Sequence, residues 1–335
     1  MLVLFSDMEL VTGGTGFVGG AIVEHLRRAG RKVRVLARAS SKTEALTNAG
    51  VEITIGDVLD RNSLQKAMHG VDVLYHAAAQ FEAWTADPNG MLDTANEGTR
   101  NMMDAAMAAG VSKVLHTSSA AAFGLPRNTV VTEEMKEPGW LIDVYYRSKH
   151  ESEVIANSYL SKGLNLITLN PSNVYGPRDL KPLGTSLVRF VNGEVPAIWN
   201  ANFPIVYIED VARAHLLAAE RGKVGERYLL VERNAEYREF FEVIATLSRA
   251  KLPPIVPAWA ALATAQIAEL VARVTKKPPL VSVMQVRSGT QGTRFDGTKA
   301  SRELGLQYTP MEDGLRDALT WYWEQGYLKT KPVFL

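Results

Sequence analysis

The chain has 335 residues, 46% hydrophobic and 22% charged, proportions that supply a full-sized core with room for a second lobe. Lys and Arg number 37 against 36 Asp and Glu, and this net charge of +1 calls for neither nucleic acid nor an anionic membrane as partner. There is no cysteine, so disulfides, thiolate nucleophiles and thiolate-bound metals are excluded, and a reducing, cytoplasmic setting is the expectation.

Residues 1–7 are apolar but too short for a signal peptide, and Met8 could itself be the start. No run of 18 uncharged apolar residues exists, so no membrane-spanning helix is expected. Apolar or β-branched runs at 9–12, 32–37, 52–55, 71–76 and 113–117 predict strands. Residues 19–29, 42–49, 61–68 and 94–109 carry apolar side chains three and four apart and predict helices between them. Gly30, Gly50, Gly70 and Gly110 follow those helices, where a left-handed cap is needed. Alternation of this kind gives right-handed βαβ crossovers and a parallel sheet covered on both faces. A helix over 146–160 and a strand over 165–169 continue the series. Prolines and glycines then break the pattern from 170 to 205, which reads as a smaller lobe. Residues 258–274 form an unusually apolar helix. A packed lid is the expected role, with a membrane-dipping surface for a lipophilic substrate as the alternative. Trp321-Tyr322-Trp323 lies at helical spacing and reads as core or dimer surface.

The loop Thr12-Gly13-Gly14-Thr15-Gly16-Phe17-Val18-Gly19 follows the first strand and opens the first helix. Glycine is required where a chain turns tightly, approaches a pyrophosphate, or packs helix on strand, and the helix N-terminus favours the phosphates. At the end of the second strand no acid is present to hold a ribose hydroxyl. Arg38 stands there instead and suits the 2′-phosphate of NADP. Asp57, in Gly56-Asp57-Val58, is placed to accept from the adenine amino group.

Tyr145-Tyr146-Arg147-Ser148-Lys149 sets a tyrosine and a lysine on one helix face. A neighbouring ammonium is expected to lower the phenol from about 10 toward working pH, making it a usable acid and base. Thr117-Ser118-Ser119 ends the fifth strand, at the carboxyl edge where open α/β sheets bind ligands. The six histidines show no metal-ligand spacing, so no metal is expected, and His76 and His116 read as satisfied edge or core residues.

The segments TGGTGFVG (12–19), GDVLD (56–60), HAAA (76–79), NEGTRNMMDAA (96–106), HTSSAAAFG (116–124), YYRSK (145–149), NPSNVYGPRD (170–179) and IEDVARAH (208–215) together resemble the extended short-chain dehydrogenases/reductases over nearly the whole chain. The resemblance implies a Rossmann-type, doubly wound α/β fold. Residues 8–176, with a returning segment near 205–231, would form the NADP-binding domain, and 177–204 with 232–335 a substrate-binding lobe. It implies Ser119, Tyr145 and Lys149 as the catalytic residues. Val58, Ala77, Ala78, Ala79, Asn96, Pro171, Asn173 and Val174 would join Gly13, Thr15, Gly16, Phe17, Val18, Arg38 and Asp57 at the cofactor. NADP(H) is the expected cofactor and NAD(H) the second option. Asn170 and Phe123 depart from the arginine and tyrosine that many relatives carry. Phe81, Trp84, Phe123, Asn173 and Trp199 are the expected substrate contacts, and Trp140 would add to an apolar pocket.

Three activities stay open. One is an NADPH-dependent reductase of a hydrophobic ketone or aldehyde, similar to dihydroflavonol 4-reductases, acting as a monomer or homodimer. The second is a nucleotide-sugar epimerase or dehydratase with retained NAD(P), since HAAAQFEAWTADP (76–88) is similar to hopanoid-associated sugar epimerases. The third is a dinucleotide sensor without catalysis, against which the intact serine, tyrosine and lysine argue. Few basic residues are available for a diphosphate: Lys181 and a single arginine, Arg189, within 180–205, although Arg213, Arg287 and Arg294 beyond it could serve.

Overall fold

A computed structural model of the protein describes residues 8–78, 84–85 and 87–335. Its first half runs β1 (Met8–Thr12), α1 (Phe17–Arg28), β2 (Lys32–Ala37), α2 (Glu44–Asn48), β3 (Glu52–Ile55), α3 (Arg61–Met68), β4 (Val71–His76), α4 (Pro88–Ala109) and β5 (Lys113–Thr117). A single helical turn, Ala120–Phe123, and β6 (Val130–Val131) lead to α5 (Val144–Asn157), β7 (Leu166–Pro171) and β8 (Asn173–Tyr175). The second half holds α6 (Pro182–Val191), β9 (Ile198–Trp199), β10 (Asn202–Tyr207), α7 (Ile208–Arg221), β11 (Arg227–Leu230), β12 (Arg233–Glu236) and α8 (Tyr237–Ser248). It ends with β13 (Ile255–Val256), α9 (Ala258–Thr275), α10 (Val283–Thr290), β14 (Arg294–Phe295) and α11 (Met311–Glu324).

Seven strands form one parallel sheet in the order β11-β7-β5-β4-β1-β2-β3. The chain leaves β1 toward β2 and β3, then returns to place β4 on the other side of β1. The glycine loop therefore sits at the point where strand order reverses. Strand side chains alternate between faces. Leu10 joins Leu74, Val114 and the α4 methionines Met102 and Met103 in one core, and Val11 joins Val35, Leu115 and α1 residues Ile22 and Leu26 in another. Gly30, Gly50, Gly70 and Gly110 all take the left-handed conformation, as the helix stops require.

The strand boundaries agree with the sequence pattern to within two residues. Helix α4 begins earlier than its apolar period, at Pro88, because the Asp87 carboxylate accepts from the Gly90 amide at 3.0 Å and proline fits the first turn. Helix α5 starts at Val144, capped by the Asp143 carboxylate on the Tyr146 amide at 3.0 Å.

The segment 170–205 and the C-terminal third build the second body. A small sheet β12-β10-β8 carries a core of Tyr175, Phe190, Phe240, Phe241, Leu315 and Tyr322. Phe17 and Val18, at the start of α1, pack against it and tie the glycine loop to this lobe. Tyr322 is fully buried, with its hydroxyl donating to the Asp179 carbonyl at 2.6 Å, so the C-terminal aromatic run is core. Helix α9 corrects the packed-lid expectation. Of its 18 residues only Ala261, Ala265 and Ala272 are buried and Leu262 packs beside them, while Trp259, Ile267, Leu270, Val271 and Val274 face solvent.

Candidate active site

The glycine loop is shaped by close approach. Gly13 has φ +71°, and a Cβ there would lie 2.8 Å from the Ala77 carbonyl oxygen. A Cβ on Gly19 would meet the Gly13 carbonyl at 2.2 Å, so neither position tolerates a side chain without the loop moving. The Thr12 hydroxyl accepts from the Ala78 amide at 3.0 Å and pairs with His76 Nδ1 at 2.9 Å, locking the ends of β1 and β4 together. Gly16 caps α1 with no side chain on its first-turn amides, and Thr15 and Gly16 are exposed. The arrangement is a backbone cradle for an anion.

Arg38 stands exposed just beyond β2, and among the described residues its guanidinium makes no ion pair. Arg34 differs: it donates to Glu52 at 2.7 Å and to two backbone carbonyls. Asp57 follows β3, and one of its carboxylate oxygens accepts from the Leu59 amide at 3.0 Å. Val58 packs on the α3/α4 core.

Ser119 ends the run that β5 begins and is extended, with φ −162°. Its hydroxyl accepts from the Ala121 amide at 3.2 Å and from the Tyr145 phenol at 3.4 Å. Ser118, its neighbour, is buried on the other side, with no hydrogen-bond partner to its hydroxyl among the described residues. Of the two serines, Ser119 is the one whose hydroxyl meets the Tyr145 phenol. Lys149 lies one helical turn beyond Tyr145. Burial pulls its ammonium down to about 8, and the Glu153 carboxylate pushes it back up. The Tyr145 phenol departs from the sequence expectation: burial pushes it up to about 12, Ser119 lowers it and Asp143 raises it. Desolvation of the phenolate is the largest influence on this group.

Beneath the triad lies a buried polar network that the motif reading missed. The Asn170 amide, fully buried, donates to the Ser119 carbonyl at 3.1 Å and to Glu153 at 2.7 Å. Arg227 donates to the other Glu153 oxygen at 3.1 Å. Glu153 stands four residues after Lys149, the helical spacing that could have drawn attention to it. His76 and His116 stack at 5.4 Å between ring centroids. His116 is core, as expected, but not satisfied: neither ring nitrogen has a partner among the described residues. Burial holds His76 and His215 near 4 and His116 well below its ordinary value.

The remaining expected contacts divide. Asn96 sits on α4 and donates to Glu151 of α5 at 2.6 Å, bracing the helix that carries Tyr145. Pro171 ends β7, Val174 packs in both sheet and lobe cores, and the Asn173 amide donates to the Pro204 carbonyl at 2.8 Å. Phe123 is corrected. The turn after Ser119 directs its ring inward among Val131, Leu229 and Phe295, with Arg227 stacked over it at 4.2 Å, and at 2% exposure it offers no face to a ligand. Trp199 packs against Tyr237 and under α9 and α10. Trp84 is half-buried and Trp140 exposed. Ala79 and Phe81 lie outside the described residues. Helix α10, unforeseen as a site element, brings Met284 against Tyr145, Tyr146, Leu141 and Ile142. Its Arg287 reaches over the Trp140 ring at 5.6 Å. Arg189 and Arg213 are held by backbone carbonyls of the lobe, Glu194 and Gln307.

A parallel sheet with a glycine cradle at its switch point, and a serine, tyrosine and lysine at its carboxyl edge, defines a dinucleotide-binding α/β protein. Residues 9–230 match the model of the NAD dependent epimerase/dehydratase family. A protein of Synechocystis sp. named as a dihydroflavonol 4-reductase is 34% identical, with 98% of each chain covered. Sterol demethylase protein B of Methylococcus capsulatus is 32% identical over 95% of this chain and 99% of its own. The crystal structure of gox2253, at 34% identity, superposes with a TM-score of 0.84 over 96% of this chain and 100% of its own. The chain belongs to the NAD dependent epimerase/dehydratase family, extended short-chain dehydrogenases/reductases whose members use NAD(P).

Proposed function

We propose that this protein is an NADP(H)-dependent reductase of a ketone or aldehyde whose remaining surface is mainly hydrophobic. The observation that carries the reading is the Tyr145 phenol at 3.4 Å from the Ser119 hydroxyl, with the Lys149 ammonium one turn away. When bound, NADPH supplies a hydride to the carbonyl carbon. The residues of the chain do the rest. Ser119 and Tyr145 hold the carbonyl oxygen between two hydroxyls. Tyr145 gives its proton to that oxygen as charge develops, so that hydride and proton together turn C=O into CH–OH. Lys149 binds the ribose hydroxyls and stabilises the phenolate left behind. A phenol held near 12 is protonated throughout the neutral range, so the resting site is loaded for reduction.

In this reading Gly13, Thr15, Gly16, Phe17 and Val18 hold the pyrophosphate, and Arg38 the 2′-phosphate. Asp57 and Val58 take the adenine end. Ala77 and Ala78 flank the cofactor, Asn96 braces the site, and Pro171, Asn173 and Val174 flank the nicotinamide. The lobe of 177–204 and 232–335 closes over the sheet edge, with Trp84 and Trp199 as apolar contacts. The similarity to a protein named as a dihydroflavonol 4-reductase supports this choice.

Arg287 favours a second reading. A cation on α10 that has no acidic partner among the described residues, one turn from the Met284 that packs with Tyr145, is where a nucleotide sugar's diphosphate would be met. Stoichiometry separates the two. Purified protein mixed with NADPH and a panel of aromatic, aliphatic and steroid ketones is expected to consume one NADPH per alcohol formed. Turnover of a nucleotide sugar with no net cofactor consumption would replace the reductase by an epimerase.

A further inference from the structure

Helix α9 turns the ordinary burial rule round. Its packed side is made mainly of small residues: Ala261 and Ala265 sit with Leu262 against Trp199, Val256 and Val286, and Ala272 is buried further along. Its large side chains point the other way: Trp259 is 74% exposed, Ile267 65%, Leu270 63% and Val274 81%. With Ala263 and Val271 they fall within an arc of about 120° on a helix of 3.6 residues per turn. Leu252, Ile255 and Leu280, on the segments flanking α9, are exposed as well. An apolar face of this extent on a folded protein marks a place that something covers.

Charge identifies the occupant. From 251 to 280 the chain carries Lys251, Arg273, Lys276 and Lys277 against a single acid, Glu269. Glu269 is half-buried and accepts from the Val283 amide at 2.8 Å, so it does not face outward with the cations. The balance is local, for the whole chain is near neutral. Arg273 and Lys277 follow the apolar arc at the helix end, where long basic side chains reach headgroups while their stems lie along apolar surface. No described helix is long and apolar enough to cross a bilayer. An apolar stripe edged by cations on such a helix is the pattern of an element lying in the plane of an anionic interface.

We propose that α9 docks this protein on the surface of an anionic phospholipid bilayer, with Trp259, Ile267, Leu270 and Val274 in the acyl boundary and Arg273, Lys276 and Lys277 at the headgroups. The inference stands on the helix face alone and does not depend on the reaction proposed above. It does give that reaction a setting. Helix α10 is packed between α9 and the cluster around Tyr145, so the docked face lies one helix from the catalytic phenol.

The test is co-sedimentation of the full chain with vesicles of phosphatidylcholine, alone or mixed with phosphatidylglycerol. Wild type is expected to bind the mixed vesicles, more weakly as salt is raised, and to leave the neutral ones largely unbound. W259S/I267N/V274N is expected to lower the partition at least 10-fold. R273Q/K276Q/K277Q should lower it on the order of 100-fold, from roughly 5-fold for each cation. Both variants should keep the wild-type melting temperature and turnover of a water-soluble carbonyl; if the apolar triple variant is insoluble, Ile267→Asn alone should lower binding several-fold. Wild type that ignores mixed vesicles, or an apolar variant that binds them as wild type does, overturns the proposal. So does a wild-type dimer in solution that the apolar variant converts to monomer, since the face would then belong to a second copy.

Discussion

The carboxyl edge of the sheet and helix α9 break the rule of apolar inside and polar outside in opposite directions. At the edge, His76, His116, His215, Glu153 and Asn170 are withdrawn from water beneath the triad. On α9, tryptophan, isoleucine, leucine and valine are left in it while alanines pack. Burying polar groups carries a cost unless their partners are fixed, and the result is a rigid site with shifted proton affinities. Exposing apolar ones carries a different cost, in self-association, which a partner surface removes. The polar exceptions serve chemistry inside the molecule; the apolar ones serve contact outside it.

The largest effect should come from breaking the polar end at its centre. Tyr145→Phe keeps the ring and removes the proton, and general acid help is worth ~10²–10⁴ in rate. Turnover should fall by that factor while NADPH affinity, followed by cofactor fluorescence, stays within about two-fold. A variant that keeps more than about a tenth of the activity would move the acid elsewhere. Next is Arg38→Asp, which replaces an unpaired cation by a charge that repels a 2′-phosphate. A charge-assisted pair is typically worth ~1.5–3 kcal/mol, so the NADP dissociation constant should rise ~10-fold or more, with NAD binding little changed. Tighter binding of NAD than of NADP by the wild type would remove Arg38 from this role.

The histidine core sharpens the comparison through stability. Burial depresses the folded pKa of His76 and His215 from 6.5 to about 4, so between those values the unfolded chain binds more protons than the folded one. Stability is therefore full above pH 6.5 and is lost as pH falls toward 4, on the order of 1–2 kcal/mol per histidine between pH 7 and 5. His116, held below its ordinary value in the same way, adds its own share, so His116→Leu should reduce the total loss in urea titrations at the two pH values. An unchanged slope would mean that the His116 imidazole titrates alike in both states. On α9, by contrast, Ile267→Asn should move stability by no more than about 0.5 kcal/mol at either pH.

The βαβ series was legible because glycine stops and apolar periods agree, and the resulting sheet places the cradle and the triad at one edge. Helix α9 was legible as a helix but not in its packing. Apolarity all round suggests burial, whereas here side-chain size decides, with alanine inward and bulk outward. Phe123 was misread because a single turn after Ser119 reverses its direction, which no periodicity announces. The β12-β10-β8 sheet pairs segments far apart in a proline-rich stretch, where local pattern carries no register. The upward shift of the Tyr145 phenol depended on how deeply the site is buried, a property of the assembled fold.

The smallest predicted effect probes the support beneath the triad. Glu153 raises the proton affinity of Lys149 against the burial that lowers it to about 8, and it is held from behind by Asn170 and Arg227. A lysine with its folded pKa brought down to that level is charged below it and neutral above it. The reductase rate should therefore fall as pH rises through about 8, because the ammonium that stabilises the phenolate left by proton transfer is lost. Glu153→Gln keeps the shape and the hydrogen bond to Asn170 while removing the charge, so only the lowering influence remains. The alkaline limb of kcat/KM should move to lower pH, with activity on the acid side of the limb nearly unchanged. The loss should be a few-fold in rate at mildly alkaline pH and disappear as pH is lowered. A uniform loss at every pH would mean that Glu153 only holds the scaffold in place. A limb that does not move would mean that the titrating group is not Lys149.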